Sequence, residues 1–360
     1  MKKWYLPLSV ILLVGACATP PVPPAQPGQE LAEQAYTPSA AESAAPAAGA
    51  GQAGRSLGRR ADVRAFIREM TARHRFDAVR LQAAFDGAYA KPDIIAAMNR
   101  PAEAKAWHAY RALFISPKRI QGGVDFWRAN QAALARAERT FGVPPEIVVA
   151  IIGVETQYGG NMGKYRVLEA LSTLAFDYPR RADYFRKELE NFLLLTRAEG
   201  INPLTPRGSY AGAMGYGQFM PSSFLSYAVD FDGDGHRDLW RNSRDAVGSV
   251  ANYFQKHGWR AGEPVAVPAR VDGVAPATLI SRKLSLPNRD LTSWKAQGIV
   301  PRTAVEGNRA ALLLEFQGQD GLEYWLGFHN FYAITRYNHS QSYAMAVYQL
   351  SREIRQRYER

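Results

Sequence analysis

The sequence predicts a mainly α-helical protein carrying one small β-rich insertion, and three observations lead there. Apolar residues recur at three- and four-residue spacing through most of the stretch from about 60 to 260, which is the helical period. From about 263 to 325 the period falls to two, with Val265-Ala266-Val267-Pro268-Ala269-Arg270-Val271 alternating among frequent turn residues. Helical spacing returns from Ser340 to the end. The chain has 360 residues, 47% hydrophobic and 21% charged, enough for two or three domains around a large core. Its formal charge of +11 favours acidic partners.

The N-terminus reads Met1-Lys2-Lys3 followed by an apolar run from Trp4 to Ala16, the pattern of an export leader and too short for a membrane span. Leu13-Val14-Gly15-Ala16-Cys17 resembles a bacterial lipobox, in which cleavage leaves Cys17 to be lipidated. The chain has only this one cysteine, which excludes a disulfide framework, a CxxC redox site and a cysteine-based zinc cluster. Ala18 follows where an aspartate would signal inner-membrane retention, so the expected destination is the periplasmic face of the outer membrane. Losing Lys2 and Lys3 lowers the charge from +11 to +9, still basic. Residues 18–56 contain 12 Ala, 7 Pro and 4 Gly, too few apolar side chains to offset the entropy of ordering, and are expected to be a tether. As a flexible coil such a tether spans roughly 35 Å.

Amphipathic segments then open at Asp62-Val63-Arg64-Ala65-Phe66-Ile67, cover roughly 77–90, and run from Ala104 to Phe114 and from Phe126 to Phe141. Pro144-Pro145-Glu146 begins a very apolar helix, with proline suited to its first turn. Further helices are expected near 179–198 and 243–257.

That apolar helix, Ile147-Val148-Val149-Ala150-Ile151-Ile152-Gly153-Val154, delivers one carboxylate, Glu155, on the face of Val148, Ile151 and Ile152. Partial desolvation raises a carboxyl pKa and keeps a proton available near neutrality, as glycoside cleavage by a general acid requires. A helix-terminal glutamate capped by amides or paired with an arginine fits the pattern equally. The segment Ser209-Tyr210-Ala211-Gly212-Ala213-Met214-Gly215-Tyr216-Gly217-Gln218-Phe219 spaces glycines between aromatics ahead of a glutamine. Such a segment forms a groove floor able to approach sugar rings, with Tyr216 and Gln218 as candidate substrate ligands, or else a tight structural loop. Asp230-Phe231-Asp232-Gly233-Asp234-Gly235-His236-Arg237-Asp238 matches the opening of an EF-hand loop, with carboxylates at positions 1, 3 and 5, glycine at 6, the His236 carbonyl at 7 and Asp238 at 9. Position 12 is Arg241 instead of a bidentate glutamate, and Asp245 is the residue left to close a longer loop. Structural Ca²⁺ is the expected ligand, and no organic cofactor is expected. The six histidines lack zinc-ligand spacing, and scattered arginines behind an export leader argue against nucleic acid.

Four blocks carry a resemblance: GVETQYGGNMGKYRVLEALSTLAFDYPRRADYFRKELENFL, SYAGAMGYGQFMPSS, DFDGDGHRDLWRNSRDAVGSVANYFQKHGW and ITRYNHSQSYAMAVYQL. In this order they resemble the membrane-bound lytic murein transglycosylase B family over most of residues 60–360, with the tether outside. The resemblance implies a lysozyme-like α+β core with an additional helical domain and a small inserted β domain. The expected division is a leader at 1–16, Cys17 and tether at 17–56, and a helical domain at 57–143. A catalytic core with the EF-hand-like loop follows at 144–262, then a β-rich domain at 263–325 and a C-terminal segment at 326–360. Glu155 matches the family's acid/base, Ser209 and Gln218 its groove residues, Tyr253 a tyrosine lining the centre, and Asn338 and Tyr343 residues of the same cleft. The implied substrate is the peptidoglycan glycan strand. By the same resemblance, Glu155 is expected to protonate the oxygen between N-acetylmuramic acid and N-acetylglucosamine, the acetamido carbonyl to stabilise C1, and the ionised Glu155 then to take a proton from the C6 hydroxyl to give a 1,6-anhydromuramoyl end. Between Ile147 and Phe176 the only acids are Glu155 and Glu169, so the segment offers no partner of the two-carboxylate type. Partners among cell-wall synthesis or division proteins leave no mark in the sequence.

Overall fold

The structure, a computed structural model, describes residues 56–99 and 105–360. The expected leader, Cys17 and nearly all of the tether lie outside these residues. Three N-terminal helices, α1 (Ala61–His74), α2 (Ala78–Asp86) and α3 (Pro92–Met98), precede α4 (Trp107–Phe114), α5 (Pro117–Ala129) and α6 (Gln131–Phe141). Next come α7 (Pro145–Thr156), the two-residue strand β1 (Tyr165–Arg166), α8 (Val167–Asp177), α9 (Ala182–Ala198), β2 (Arg207–Gly208), α10 (Pro221–Tyr227) and α11 (Ser243–Lys256). The β-rich part comprises β3 (Ala266–Val271), β4 (Arg289–Asp290), the short α12 (Leu291–Lys295), β5 (Ile299–Pro301), β6 (Ala310–Gln317) and β7 (Leu322–Gly327). Helices α13 (His329–Tyr337) and α14 (Gln341–Tyr358) complete the chain.

Local chemistry explains several boundaries. Asp77 caps α2 by accepting from the amides of Val79 and Arg80 at 2.8 and 3.0 Å, and Ser116, Asn242 and Ser340 cap α5, α11 and α14 in the same way. The apolar spacing from Phe126 to Phe141 reads as continuous, yet the structure breaks it at Asn130. Its side-chain amide donates to the Phe126 carbonyl at 2.9 Å, and its Oδ1 accepts from Ser243 Oγ at 2.6 Å, which ties the break to the start of α11. The segment expected over 77–90 ends at Asp86, with Gly87 as its C-cap. Helix α13 begins ahead of Ser340, where helical spacing was expected to resume.

Helix α7 is the centre of the main core. Every one of its residues except Glu155 is buried, and α5, α6, α11 and α14 pack around it. The five β-rich strands form an antiparallel sheet in the order β4-β6-β7-β3-β5, whose inner strand β6 is buried on both faces. Along β6, Ala311 and Leu313 enter a small separate core with Trp294, Ile299, Leu326 and Phe328, while Leu312, Leu314 and Phe316 join the helical core. That is the two-residue alternation of a strand sandwiched between two apolar layers. Trp107 packs 5.0 Å from Phe316, and Tyr348 Oη donates to the Ala266 carbonyl at 2.8 Å, fixing the sheet to α4 and α14.

Truncation of a fully buried aliphatic side chain removes apolar burial and leaves a cavity. Ile151→Ala in α7 is expected to cost about 2–5 kcal/mol, read as a lowered thermal melting point, whereas Val79→Ala on the exposed face of α2 leaves melting unchanged. His257 supplies a pH-dependent counterpart. Its ring stacks on Tyr253 at 3.9 Å, and its Nδ1 lies 2.7 Å from the Tyr253 carbonyl. Burial pushes its pKa down from 6.5 to about 4. Because the unfolded chain takes up this proton first, stability falls as pH drops from about 6.5 toward 4, by at most about 1.4 kcal/mol per pH unit from this group. An NMR titration should find the His257 imidazole neutral down to about pH 5, and a midpoint near 6.5 would contradict the burial argument.

Candidate active site

The single unburied residue of α7 is the carboxylate its apolar face delivers. Val148, Ile151 and Ile152 are fully enclosed behind it, while Glu155 itself is half-buried. Tyr343, from the first turn of α14, donates its phenol to Glu155 Oε1 at 2.5 Å. Burial and the nearby Glu155 charge push the Tyr343 pKa far up, so the phenol stays protonated and available as a donor. Tyr337 in α13 and Tyr110 in α4 are raised for the same two reasons, burial first and Glu155 second. Tyr337 Oη donates to the Gly217 carbonyl at 2.6 Å, whereas Tyr110 Oη has no hydrogen-bond partner among the described residues. Glu155 is the only carboxylate whose charge acts on these three phenols among the described residues.

The glycine-spaced segment forms one wall. Gly215 has φ 68°, and a Cβ there would lie 2.3 Å from the Leu239 carbonyl oxygen, so the loop closes only with glycine. Gln218, at φ 51°, is half-buried, and its Nε2 donates to the carbonyls of Gly215 (3.0 Å) and Met162 (3.3 Å), binding this wall to the loop after α7. Tyr216 is half-buried, its carbonyl accepts from Thr156 Oγ1 at 2.9 Å, and its ring covers Gly159.

Tyr253 is buried within a cluster of Phe219, Tyr227, His257 and Tyr337, its phenol donating to the Arg336 carbonyl at 2.5 Å. Asn338 is buried at the end of α13, where its carbonyl accepts from the Ser340 amide at 2.7 Å. Ser209, expected to contact substrate, is held within the loop. It is fully buried, and its Oγ accepts from the amides of Ala211 (3.3 Å) and Ala213 (3.1 Å), so it shapes the loop from inside. Sequence reasoning passed over Tyr110 and Tyr337. Tyr337 directly precedes the Asn338-His339-Ser340 block, whereas Tyr110 is one aromatic of an amphipathic helix with nothing to distinguish it from core.

The acidic loop gathers Asp230, Asp232 and Asp245, with one oxygen of each within 4.8 Å of the others. Asp245 is fully buried, its oxygens accepting from the amides of Phe231 and Asp238 at 2.8 Å each. Burial is the main influence raising its pKa, and the charges of Asp232 and Asp230 add to it. Three converging carboxylates with hard oxygen donors fit a Ca²⁺ ion, whose charge would relieve their repulsion. Asp234 and Asp238, also expected as ligands, each have one carboxylate oxygen engaged by amides of the same loop. Asp234 Oδ1 accepts from the His236 amide, and Asp238 Oδ1 accepts from the amides of Trp240 and Arg241, so both carboxylates serve turns within the loop. The loop is braced to α6 by Arg136, which donates to the Phe231 carbonyl at 2.7 Å and lies 4.1 Å over the Phe231 ring.

Known proteins are similar to this chain in sequence and fold. The transglycosylase SLT domain family matches residues 58–352. Membrane-bound lytic murein transglycosylase B of Escherichia coli (strain K12) is 43% identical over 368 residues, covering 98% of each chain. Among solved structures, the soluble lytic transglycosylase SltB1 from Pseudomonas aeruginosa superposes with a TM-score of 0.79 at 50% identity, covering 83% of this chain and 100% of that one. The Escherichia coli lytic transglycosylase SLT35 in complex with calcium gives 0.78 at 45% identity, covering 86% and 97%. SltB3 from Pseudomonas aeruginosa in complex with NAG-anhNAM-pentapeptide gives 0.75 at 32% identity, covering 82% and 79%. The chain therefore belongs to the transglycosylase SLT domain family.

Proposed function

We propose that this protein is a peptidoglycan lytic transglycosylase in which Glu155 serves first as acid and then as base. The observation that carries the reading is one carboxylate at the exit of an apolar helix, held by a protonated tyrosine. The proton on Glu155 passes to the glycosidic oxygen between N-acetylmuramic acid and N-acetylglucosamine as the C1–O bond breaks. The carbonyl oxygen of the muramoyl acetamido group bonds to C1 in its place. Glu155, now ionised and stabilised by the Tyr343 phenol, removes the proton from the C6 hydroxyl, whose oxygen displaces the acetamido oxygen from C1. The result is a 1,6-anhydromuramoyl end, an intact acetamido group and a reprotonated Glu155, with no water consumed.

Membrane attachment through a lipidated Cys17, at the periplasmic face of the outer membrane, accords with the leader and with the name of the Escherichia coli relative. Asp230, Asp232 and Asp245 would hold a structural Ca²⁺, in keeping with the calcium complex of SLT35. Asp245 lies in the first turn of α11, the helix that carries Tyr253, so the ion would steady one wall of the cleft.

Glu155→Gln is expected to lower turnover of purified peptidoglycan by about 10²–10⁴-fold. Mass spectrometry of wild-type digests should show muropeptides one water lighter than hydrolysis products, and reducing ends would indicate a muramidase. Tyr343→Phe removes one hydrogen bond to a charged group, so turnover should fall by about 10–100-fold; an unchanged rate would contradict the assigned role. Added Ca²⁺ is expected to raise the melting temperature of chelator-treated protein, and Asp245→Asn should abolish the increase. A rise that persists in Asp245→Asn would place the ion elsewhere.

A further inference from the structure

The turn that leaves Glu155 is held by groups that the reaction above does not use. Gln157 and Tyr158 both adopt left-handed backbone conformations, φ 52° and 61°, which cost energy in residues with a Cβ. The Tyr158 ring lies in a cradle of three glycines. A Cβ on Gly153 would come within 2.5 Å of its phenol oxygen, one on Gly123 within 2.8 Å, and one on Gly122 within 3.0 Å of the ring. Tyr158 Oη donates to the Arg119 carbonyl at 2.8 Å. The Arg119 side chain, running from α5, returns to α7. Its Nη1 donates to the Gly153 carbonyl, its Nη2 donates to the Leu113 carbonyl at 3.4 Å, and its guanidinium lies 5.5 Å from the Phe114 ring centre.

This guanidinium is desolvated enough to lower its pKa, and the partners it finds are main-chain carbonyls. A cation at the C-terminal turn of a helix complements the helix dipole, and here it shares the Gly153 carbonyl with the Gln157 amide, which donates to it at 3.1 Å. The two attachments flank the carboxylate, one at Gly153 two residues before it and one at Tyr158 three residues after it. We infer that Arg119 and Tyr158 are positioning residues, clamping the last turn of α7 and the strained turn beyond it to α5 so that Glu155 is held at its reacting position. The inference rests on the reading of Glu155 as the proton-transfer group. A displacement of about 1 Å at such a group can cost about 10²-fold in rate.

The test is steady-state kinetics on peptidoglycan with Arg119→Gln, Arg119→Lys and Tyr158→Phe in the full chain, below each variant's melting point, with Glu155→Gln as reference. Arg119→Gln is expected to lower kcat by about 10–100-fold while KM stays unchanged. Arg119→Lys should recover part of that loss, because an ammonium still reaches the Gly153 carbonyl. If Arg119→Gln fails to fold, Tyr158→Phe keeps the ring in its cradle and should lower kcat by about tenfold at constant KM. Native kcat in folded Arg119→Gln and Tyr158→Phe, with Glu155→Gln inactive, overturns the clamp alone. An active Glu155→Gln overturns the reading beneath it.

Discussion

Everything at the candidate site depends on the burial of α7. A helix enclosed along its whole length except at Glu155 has no freedom to tilt or slide, because α5, α6, α11 and α14 close around it. The carboxylate is therefore fixed by packing, to a precision that a surface loop does not provide. Burial also sets its electrostatic surroundings. The phenols of Tyr110, Tyr337 and Tyr343, from three different helices, stay neutral beside it. Neutral donors can support either protonation state, which suits a residue that gives up a proton and takes one back.

The rest of the architecture serves that arrangement. The sheet is sandwiched between the helical core and its own small core, and its attachments to α4 and α14 reach the two helices that supply Tyr110 and Tyr343. The acidic loop acts through α11. Asp245 joins it to the first turn of α11, and Tyr253 on the same helix packs against Phe219 and Tyr337. Sheet and loop thus brace the helices that carry Tyr110, Tyr343 and Tyr253.

How much of this was legible depended on whether a residue's role is local. Glu155 stands out as one acid ending an apolar run, but that run also suits a capped or paired glutamate, and its acid/base role was legible only through the resemblance of the surrounding blocks. The acidic loop stands out because its carboxylates fall at the fixed spacing of oxygen ligands, and the fold brings Asp230, Asp232 and Asp245 together, while Asp234 and Asp238 also accept from loop amides. Sequence shows that Ser209 carries a hydroxyl, but its burial and its bonds to the amides of Ala211 and Ala213 come from the fold. Tyr110 and Arg119 were invisible, one resembling core and the other a solvated helix charge, since both acquire meaning only from long-range packing against α7. Helix α13 was missed because its apolar residues follow directly on the alternation of β7.

The central claim is that Glu155 is the sole proton carrier in a cleavage that consumes no water. Its most direct test is digestion of purified peptidoglycan in oxygen-18-labelled water, with mass analysis of the newly formed muramoyl ends. The account predicts no label there, because the oxygen bonded to C1 comes from the sugar's own C6 hydroxyl. One labelled oxygen per cleavage would mean that water attacks C1, and would require a second catalytic group that the site as described does not contain.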